Sequence, residues 1–486
     1  MRAIDFFQVI EYNQFGSSSE FNVRKFAFGG VVRLELLKKF CNTILFFMKI
    51  LVIATVTTAF VGVWQNYYGE TLYYGRGNYL VIALYTAAFM VFGSIYDGFK
   101  VGIMRTNELA YSLSLSVFFS NCFIFVILCL IAGQVLNPIA LIVLTVFQIF
   151  MLIGLTYALN QIYYALHPTR KVLAIFEPGS RNDIIKKISL IKERFSLTKG
   201  ITIDRSIDDI KAEIERHDTI LICDFDPKLK NEIIKYCYFV NKRIYILPSS
   251  TDAILNGSYP VQVSDTPVLF LHKGGFSIEQ RIIKRIFDIV VSGLGIIITS
   301  PLMLIIAISI KICDRGPIIF KQPRITCNEK VFNIYKFRSM RVVDDKEVKK
   351  TIVDDDRITF VGRLIRPYRL DELPQLFNIL FGHMSVVGPR PEMIELVQEY
   401  SEMIPEFNIR HKVKAGLTGY AQIYGKYNTT PQNKLNMDIH YIENYSFLQD
   451  IKLFAMTLKI LFVKDSTEGF SEADSKLKNT DDGKPS

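Results

Sequence analysis

Residues 363–392 read RLIRPYRLDELPQLFNILFGHMSVVGPRPE, a segment that joins fixed positive charge to two adjacent carboxylates. Three arginines precede Asp371 and Glu372, and Arg390 follows a Gly-Pro turn. Arginine side chains and the N–H groups at a helix start bind phosphate oxygens. A carboxylate can hold a divalent cation or attack phosphorus. The segment therefore indicates phosphate chemistry.

Helix signals surround the carboxylate pair. Pro374 and Gly382 predict a short helix directly after the pair, and Pro391 predicts the start of a second helix. Because Asp is a favoured N-cap and acidic residues complement the helix dipole, an Asp-Glu pair alone is more often an ordinary helix start. The functional interpretation depends on the order of residues in the whole segment.

That order resembles the signature of the bacterial sugar transferases, the monotopic polyprenyl-phosphate phosphoglycosyl transferases that start capsule, exopolysaccharide and O-antigen synthesis. The resemblance, to the large form of the family, runs from Arg281 to the region of Phe462. It implies transfer of sugar-1-phosphate from a UDP-sugar, with UDP-glucose or UDP-galactose expected, to undecaprenyl phosphate with release of UMP. The implied site is on the cytoplasmic face of the bacterial inner membrane.

The resemblance also implies roles for individual residues. Asp371 is expected to be the nucleophile that forms a covalent phospho-aspartate, and Glu372 is expected to hold Mg²⁺. The residues alone do not choose between the two carboxylates. The candidate substrate- and phosphate-binding residues are Gln322, Arg324, Lys336, Arg338, Arg366, Arg390 and Lys426.

Some of these assignments have plain alternatives. Lys336 and Arg338 fall on one face of a predicted strand, where a solvated surface is as good an interpretation as a phosphate site. The chain also departs from the family pattern. Thr326 and Glu329 replace glycines, Ala415 replaces a proline, Tyr420 a tryptophan and Lys426 an arginine. Asp438 is a further family position that could be a second metal or hydroxyl ligand, and a helix-surface acid is the ordinary interpretation.

Composition separates membrane from soluble parts. The chain has 486 residues, a net charge of +10 and 50% hydrophobic content. Its seven cysteines include no Cys-x-x-Cys, and no basic run is interleaved with aromatics, so we expect no zinc site and no nucleic-acid partner.

Apolar runs at 44–64, 79–96, 110–133 and 138–159 are each near the ~20 residues that cross a bilayer. Lys and Arg concentrate on one side of these runs, which predicts that both ends of the bundle face the cytoplasm.

Two further segments complete the predicted architecture. Residues 171–177, 219–224 and 243–248 read as strands, and 182–195 and 207–217 as helices, which indicates a Rossmann-like α/β domain. It lacks a G-x-G-x-x-G, so we expect a structural or regulatory spacer rather than a cofactor site.

The other segment, 281–312, is apolar, is broken by Pro301 and has basic residues at both ends. It predicts a re-entrant membrane helix, with a fifth spanning helix kinked at proline as the alternative.

The predicted fold class is thus a four-helix transmembrane bundle, a Rossmann-like α/β domain, and an α+β catalytic domain with a re-entrant helix. The predicted boundaries are 1–39 for a cytoplasmic segment, 40–165 for the bundle, 166–275 for the α/β domain, 276–464 for the catalytic domain and 465–486 for a disordered tail. A membrane scaffold with an inactive site and a metal-dependent UDP-sugar hydrolase are the competing functions. A homo-oligomer is left open.

Overall fold

The computed structural model describes nine segments of the chain: residues 41–68, 77–102, 104–166, 169–178, 195–271, 274–314, 316–340, 357–425 and 429–460. Two compact units are present. The first contains residues up to Lys171 together with Lys186–Ser196, and the second contains the remainder. The predicted N-terminal segment 1–39 and tail 465–486 lie outside the described residues.

Four long helices make up the described core of the first unit. They are α1 (Cys41–Val63), α2 (Gly77–Ile95), α3 (Thr106–Ala132) and α4 (Ile139–Leu166). By length and composition each is apolar enough to cross a membrane, so the four predicted runs are confirmed. Their outward side chains are largely apolar and exposed, as lipid contact requires.

A buried amide ties the four helices together. Gln148 of α4 donates to the main-chain oxygen of Val56 and to the hydroxyl of Tyr85, both at 3.0 Å. It accepts a hydrogen bond from Asn121 of α3 at 2.9 Å. Hydrogen bonds between helices replace the missing water in such a core.

An α/β domain begins the second unit. Its elements are β1 (Arg170–Phe176), β2 (Phe195–Thr202), α5 (Ile207–Glu215), β3 (Thr219–Ile222), α6 (Pro227–Phe239), β4 (Arg243–Ile246) and α7 (Ser250–Leu255). The sheet order is β2-β1-β3-β4, and β1, β3 and β4 are parallel. The predicted strands and the α5 helix are confirmed. The predicted helix 182–195 lies outside the described residues except for Phe195, which begins a strand instead.

A hairpin of β5 (Tyr259–Val263) and β6 (Thr266–Phe270) follows, with exposed side chains along both strands. The sequence did not predict it.

The catalytic region begins with α8 (Ile278–Asp314), a helix of 37 residues with Pro301 inside it. The structure gives α8 as one helix, and it is a fifth helix long and apolar enough to cross a membrane. Pro301 lacks the N–H that would bond to the oxygen of Ile297, and the hydroxyl of Ser300 donates to that oxygen at 2.9 Å. The helix thus continues through the proline.

Both halves of α8 pack on the same domain. Before Pro301, Arg285 donates to the main-chain oxygens of Ile379 and Leu380 at 2.8 and 2.7 Å. After Pro301, Met303 and its apolar neighbours join a cluster with side chains from the segments that follow.

The remaining elements surround the site. They are β7 (Ile319–Ile325), β8 (Val331–Phe337), α9 (Phe360–Ile365), α10 (Gln375–Leu380), β9 (Ser385–Val387), α11 (Ile394–Met403), β10 (Gly416–Thr418), α12 (Tyr420–Tyr424), α13 (Pro431–Glu443) and α14 (Phe447–Ile460). β7 and β8 form an antiparallel hairpin, and β9 and β10 pair in parallel. An apolar core joins β8, β9, α10 and α13 beneath the carboxylate pair.

Candidate active site

The carboxylate pair lies on a single 3₁₀ turn, Leu370–Glu372, between α9 and α10. The residue before the turn, Arg369, has a φ of 54°, a left-handed conformation that is uncommon for a residue with a side chain. Gly382 follows α10 with a φ of 85°, as its predicted place after the helix requires. The pair therefore precedes α10 by a turn rather than occupying its first turn.

The second predicted helix begins later than expected. Pro391 does not open it: α11 starts at Ile394, and the chain from Gly388 to Met393 is an irregular loop. Before this loop the structure has the short strand β9, which the sequence did not predict. Arg390 is thus presented by a loop at the end of a buried strand.

Cations surround Glu372. Lys336 of β8 donates to its Oε1 at 2.9 Å, and Arg390 Nη2 is 3.9 Å from the same oxygen. Burial opposes ionisation, but the charge of Lys336, followed by that of Arg390, outweighs it and lowers the pKa of Glu372 to about 2. Glu372 is therefore held as an anion across the physiological range.

The pKa of Asp371 is shifted the other way. Burial raises it, the negative charge of Glu372 adds to the increase, and Lys336 and Arg366 oppose it, which leaves the pKa at about 6. The neighbouring carboxylates are thus about four pKa units apart. Strong shifts in opposite directions within one pocket mark candidates for distinct acid–base or nucleophilic roles.

A pocket opens beside Glu372. The polar side chains that line it are Arg324, Lys336, Glu372, Gln375, Arg390 and Gln422. Three cations and two amides therefore surround one carboxylate. The sequence interpretation missed Gln375 and Gln422, although both lie in the family-like segments, because nothing in the local sequence shows that they face the pocket.

The other sequence-predicted residues lie at different distances from this pocket. Gln322 accepts a hydrogen bond from Arg324 at 2.7 Å, so it supports a pocket residue. Arg338 is buried beside Gly316 and is not among the side chains that line the pocket. Arg366 acts on Asp371 through its charge. Lys426 lies outside the described residues.

Two departures from the family pattern fit each other. The hydroxyl of Thr326 accepts a hydrogen bond from the N–H of Ala415 at 3.1 Å and donates to the main-chain oxygen of His383 at 3.2 Å. A glycine has no hydroxyl and a proline has no N–H, so neither family residue could make the first bond. Glu329 has a φ of 57°, the conformation that a glycine adopts most easily. The chain thus adopts at Glu329 a backbone conformation that a glycine favours, although the residue has a side chain.

Asp438 is not on a helix surface. Its side chain is almost completely buried on α13 and lies 2.8 Å from Nη2 of Arg410. The ordinary interpretation of this residue is wrong, because the carboxylate faces the protein interior behind the pocket.

The donor set fits a divalent cation only in part. In the described part of the chain no cluster of three or more His, Cys, Asp or Glu side chains could hold a metal ion. However, Mg²⁺ is commonly bound by one or two carboxylates together with substrate phosphates. Asp371 and Glu372 on one turn fit that mode.

Comparison with known proteins decides the family. The model of the bacterial sugar transferases matches residues 279–464, the region that contains the pocket. A relative from Rhizobium leguminosarum bv. phaseoli, described as exopolysaccharide production protein PSS, is 38% identical over 187 residues, which are 36% of this chain and 94% of the relative.

The chain belongs to the bacterial sugar transferase family.

The alignments with other bacterial sugar transferases cover a larger share of this chain but a smaller share of the relative. A UDP-glucose:undecaprenyl-phosphate glucose-1-phosphate transferase of Klebsiella pneumoniae is 36% identical, over 54% of this chain and 56% of the relative. A UDP-N-acetylgalactosamine-undecaprenyl-phosphate N-acetylgalactosaminephosphotransferase of Aeromonas hydrophila is 39% identical, over 37% of this chain and 43% of the relative. The chain thus spans about half the length of these two curated relatives.

Proposed function

We propose that this membrane protein transfers sugar-1-phosphate from a UDP-sugar to undecaprenyl phosphate and releases UMP. The observation that carries the proposal is the pair of adjacent carboxylates with separated pKa values beside a cation-lined pocket. Family membership supports the reaction class, and the names of relatives favour glucose over galactose as the first sugar to test. Another relative is named for N-acetylgalactosamine, so the names of the relatives do not assign a single sugar.

Asp371 is the proposed nucleophile. Its pKa of about 6 leaves it mostly ionised at pH 7 and more basic than an ordinary aspartate. In the first step a carboxylate oxygen bonds to the phosphorus attached to the sugar, and the bond from that phosphorus to UMP breaks. In the second step an oxygen of undecaprenyl phosphate attacks the same phosphorus and frees the aspartate. Because the reaction takes two steps, the two anionic substrates do not have to bind next to each other at the same time.

Glu372 has a different proposed role. Its lowered pKa makes it a permanent anion, suited to hold Mg²⁺ together with the donor diphosphate. The metal would supply neutralisation of the diphosphate charge. Lys336 and Arg390 face the same pocket and would bind phosphate oxygens there.

We further propose that α8 enters the membrane and returns to the cytoplasmic face. Both halves of α8 pack on the domain that carries the charged pocket, as the contacts of Arg285 and the cluster around Met303 indicate. A crossing helix would carry its second half, and the domain packed on it, into or beyond the bilayer. Such a placement would immerse charged side chains in lipid at a high cost.

Labelling can test this placement. A variant with Ser277→Cys and the native, exposed Cys313 places one thiol at each end of α8. We expect both thiols to react with an impermeant maleimide in inside-out vesicles and neither to react in intact spheroplasts. Reaction of the two ends from opposite sides would show a spanning helix.

The transfer reaction is tested with membrane preparations. We expect continued UMP release from UDP-glucose, beyond one equivalent per enzyme, to require added undecaprenyl phosphate, and Asp371→Asn to abolish all UMP release. Incubation with sugar-phosphate-labelled donor alone should leave label on the wild-type chain and none on the variant. UMP release over many turnovers without lipid would favour hydrolysis, and no release from any UDP-sugar would favour a scaffold.

A further inference from the structure

The loop that carries Arg390 is held by two arginines through its main chain. Arg410 Nη2 donates to the main-chain oxygen of Arg390 at 3.0 Å, and Arg324 Nη1 donates to that of Pro391 at 3.2 Å. Arg324 lines the pocket, but Arg410 does not, and its side chain is only 2% exposed. The approach of Arg390 to Glu372 is therefore fixed in part from behind the site.

Arg410 is itself fixed by a buried counter-ion. Its Nη2 lies 2.8 Å from Oδ2 of Asp438, and both side chains are 2% exposed. The guanidinium also lies 4.9 Å from the ring centre of Phe407. A fully desolvated ion pair contributes little to stability on balance, and in some proteins such pairs instead specify one arrangement of the chain. The arrangement specified here is the position of the Arg390 loop.

Asp438 lies on α13, the helix on which the α/β domain docks. Gln432 donates to the hydroxyl of Ser250 at 2.7 Å, and Asn436 donates to the main-chain oxygen of Pro248 at 2.8 Å. Ala253 of α7 also belongs to an apolar cluster with buried side chains of α13. These contacts lie within one compact unit. They help to fix the position of α13, the helix that carries Asp438.

We propose that Arg410 and Asp438 are positioning residues for Arg390, and that the α/β domain contributes to the active site by holding α13. The chain of contacts runs from α7 to α13, from Asp438 to Arg410, and from Arg410 to the loop of Arg390. This inference rests on the proposed transferase function for its kinetic consequences. It gives the α/β domain a role in donor binding, and this role does not require the α/β domain itself to bind a ligand.

A double-mutant cycle tests the inference in the full-length protein. Arg410→Lys keeps the charge but loses the planar fork, so the loop shifts without leaving Asp438 unpaired. We expect kcat/KM for the UDP-sugar to fall roughly ten- to a hundredfold, mainly through KM, because a small misplacement of a binding group has effects of that size. In an Arg390→Ala background the same change should have almost no further effect, because no side chain remains to be misplaced.

The docking contact is tested in the same way. Asn436→Ala removes the hydrogen bond to Pro248 and should raise KM by a smaller factor, again only while Arg390 is present. Tyr238→Ala is the matched control, since Tyr238 lies on the same domain and is 83% exposed. We expect it to leave the kinetics unchanged. If Arg410→Lys and Asn436→Ala lower kcat/KM equally with and without Arg390, their roles are structural and the inference is wrong.

Hydrogen exchange gives a readout that does not depend on the reaction. The amides of Arg390 and Glu392 should exchange faster in Arg410→Lys and Asn436→Ala than in the wild type, while those of β1 should not change. Unchanged exchange in the loop would overturn the inference even if the protein proves to be a transferase. Faster exchange in the two variants, together with a wild type that releases no UMP, would refute the proposed function and leave the positioning intact.

Discussion

Replacing Asp371 by asparagine should stabilise the protein while it abolishes transfer. The pKa of this carboxyl is raised from 3.8 to about 6, so the folded protein disfavours its ionised form. Each pKa unit corresponds to about 1.4 kcal/mol, so the cost of ionisation near pH 7 is on the order of 2–3 kcal/mol. Asparagine has nearly the same shape and no charge. The variant should regain a large part of that energy.

The sign follows from proton binding. An acid with a raised pKa holds its proton more tightly in the folded than in the unfolded protein, so folding is penalised at pH values above about 6. As the pH falls from 6 toward 4 the penalty disappears, because both states become protonated. The advantage of Asp371→Asn should therefore be present at pH 7 and mostly lost near pH 4.

The adjacent residue supplies a matched control of opposite sign. The pKa of Glu372 is lowered from 4.5 to about 2, so its ionised form stabilises the folded protein above pH 4.5, and this contribution is lost as the pH falls through 2. Glu372→Gln should therefore lower stability at pH 7, on the order of 2–3 kcal/mol, because Lys336 and Arg390 lose their counter-charge.

The assay is thermal unfolding of the two variants and the wild type in one detergent, at pH values between 4 and 8. Unfolding is monitored by the fluorescence of a bound dye, a signal that does not depend on tryptophan. A shift of about 2–4 °C is expected for each kcal/mol in a domain of this size class. A rise for Asp371→Asn and a fall for Glu372→Gln at pH 7 would support the assignment of charge states. A fall for both variants, or a rise for Asp371→Asn that is undiminished at pH 4, would refute it.

Three further expectations follow from the same geometry. Because the nucleophile must be ionised, kcat/KM should fall about tenfold for each pH unit below about 6, and a pH–rate profile that stays flat to pH 5 would contradict the raised pKa of Asp371. Lys336→Ala removes the 2.9 Å partner of Glu372 and should raise KM for the UDP-sugar at least tenfold, whereas Lys336→Arg should keep part of the affinity. Thr326→Ala leaves the buried N–H of Ala415 without its acceptor and should lower unfolding stability by about 1–3 kcal/mol; Thr326→Ser, which keeps the hydroxyl, should not.

The sequence predicted best where one local rule acts alone. Apolar length is enough to locate α1 to α4, and the strand predicted at Lys336 is β8. Boundaries set by loops were less accurate. Pro391 resembles a helix start, but Pro391 also provides the carbonyl that Arg324 binds, and the chain stays irregular until Ile394.

Parts of the site could not be predicted from neighbours in sequence. The surface interpretation of Asp438 failed because its partner, Arg410, comes from a different segment, and nothing in the local pattern of α13 indicates a buried ion pair. Gln375 and Gln422 were missed for a similar reason, since only the folded chain shows that both face the pocket. The roles assigned to the candidate site residues stay predictions until they are tested.

The different roles proposed for Asp371 and Glu372 depend on where each carboxylate lies relative to Lys336, rather than on the position of the residue in the sequence. The two residues share one turn and both are desolvated, so burial alone would raise both pKa values. Only Glu372 reaches the ammonium of Lys336 at 2.9 Å, and its negative charge then raises the pKa of its neighbour. Lys336 lowers the pKa of Glu372 through both its charge and its hydrogen bond but acts on Asp371 through its charge alone, while burial is the largest cause of the raised pKa of Asp371. It follows that removing Lys336 should bring the two pKa values closer together, and the proposed separation of nucleophile and metal ligand should weaken with it.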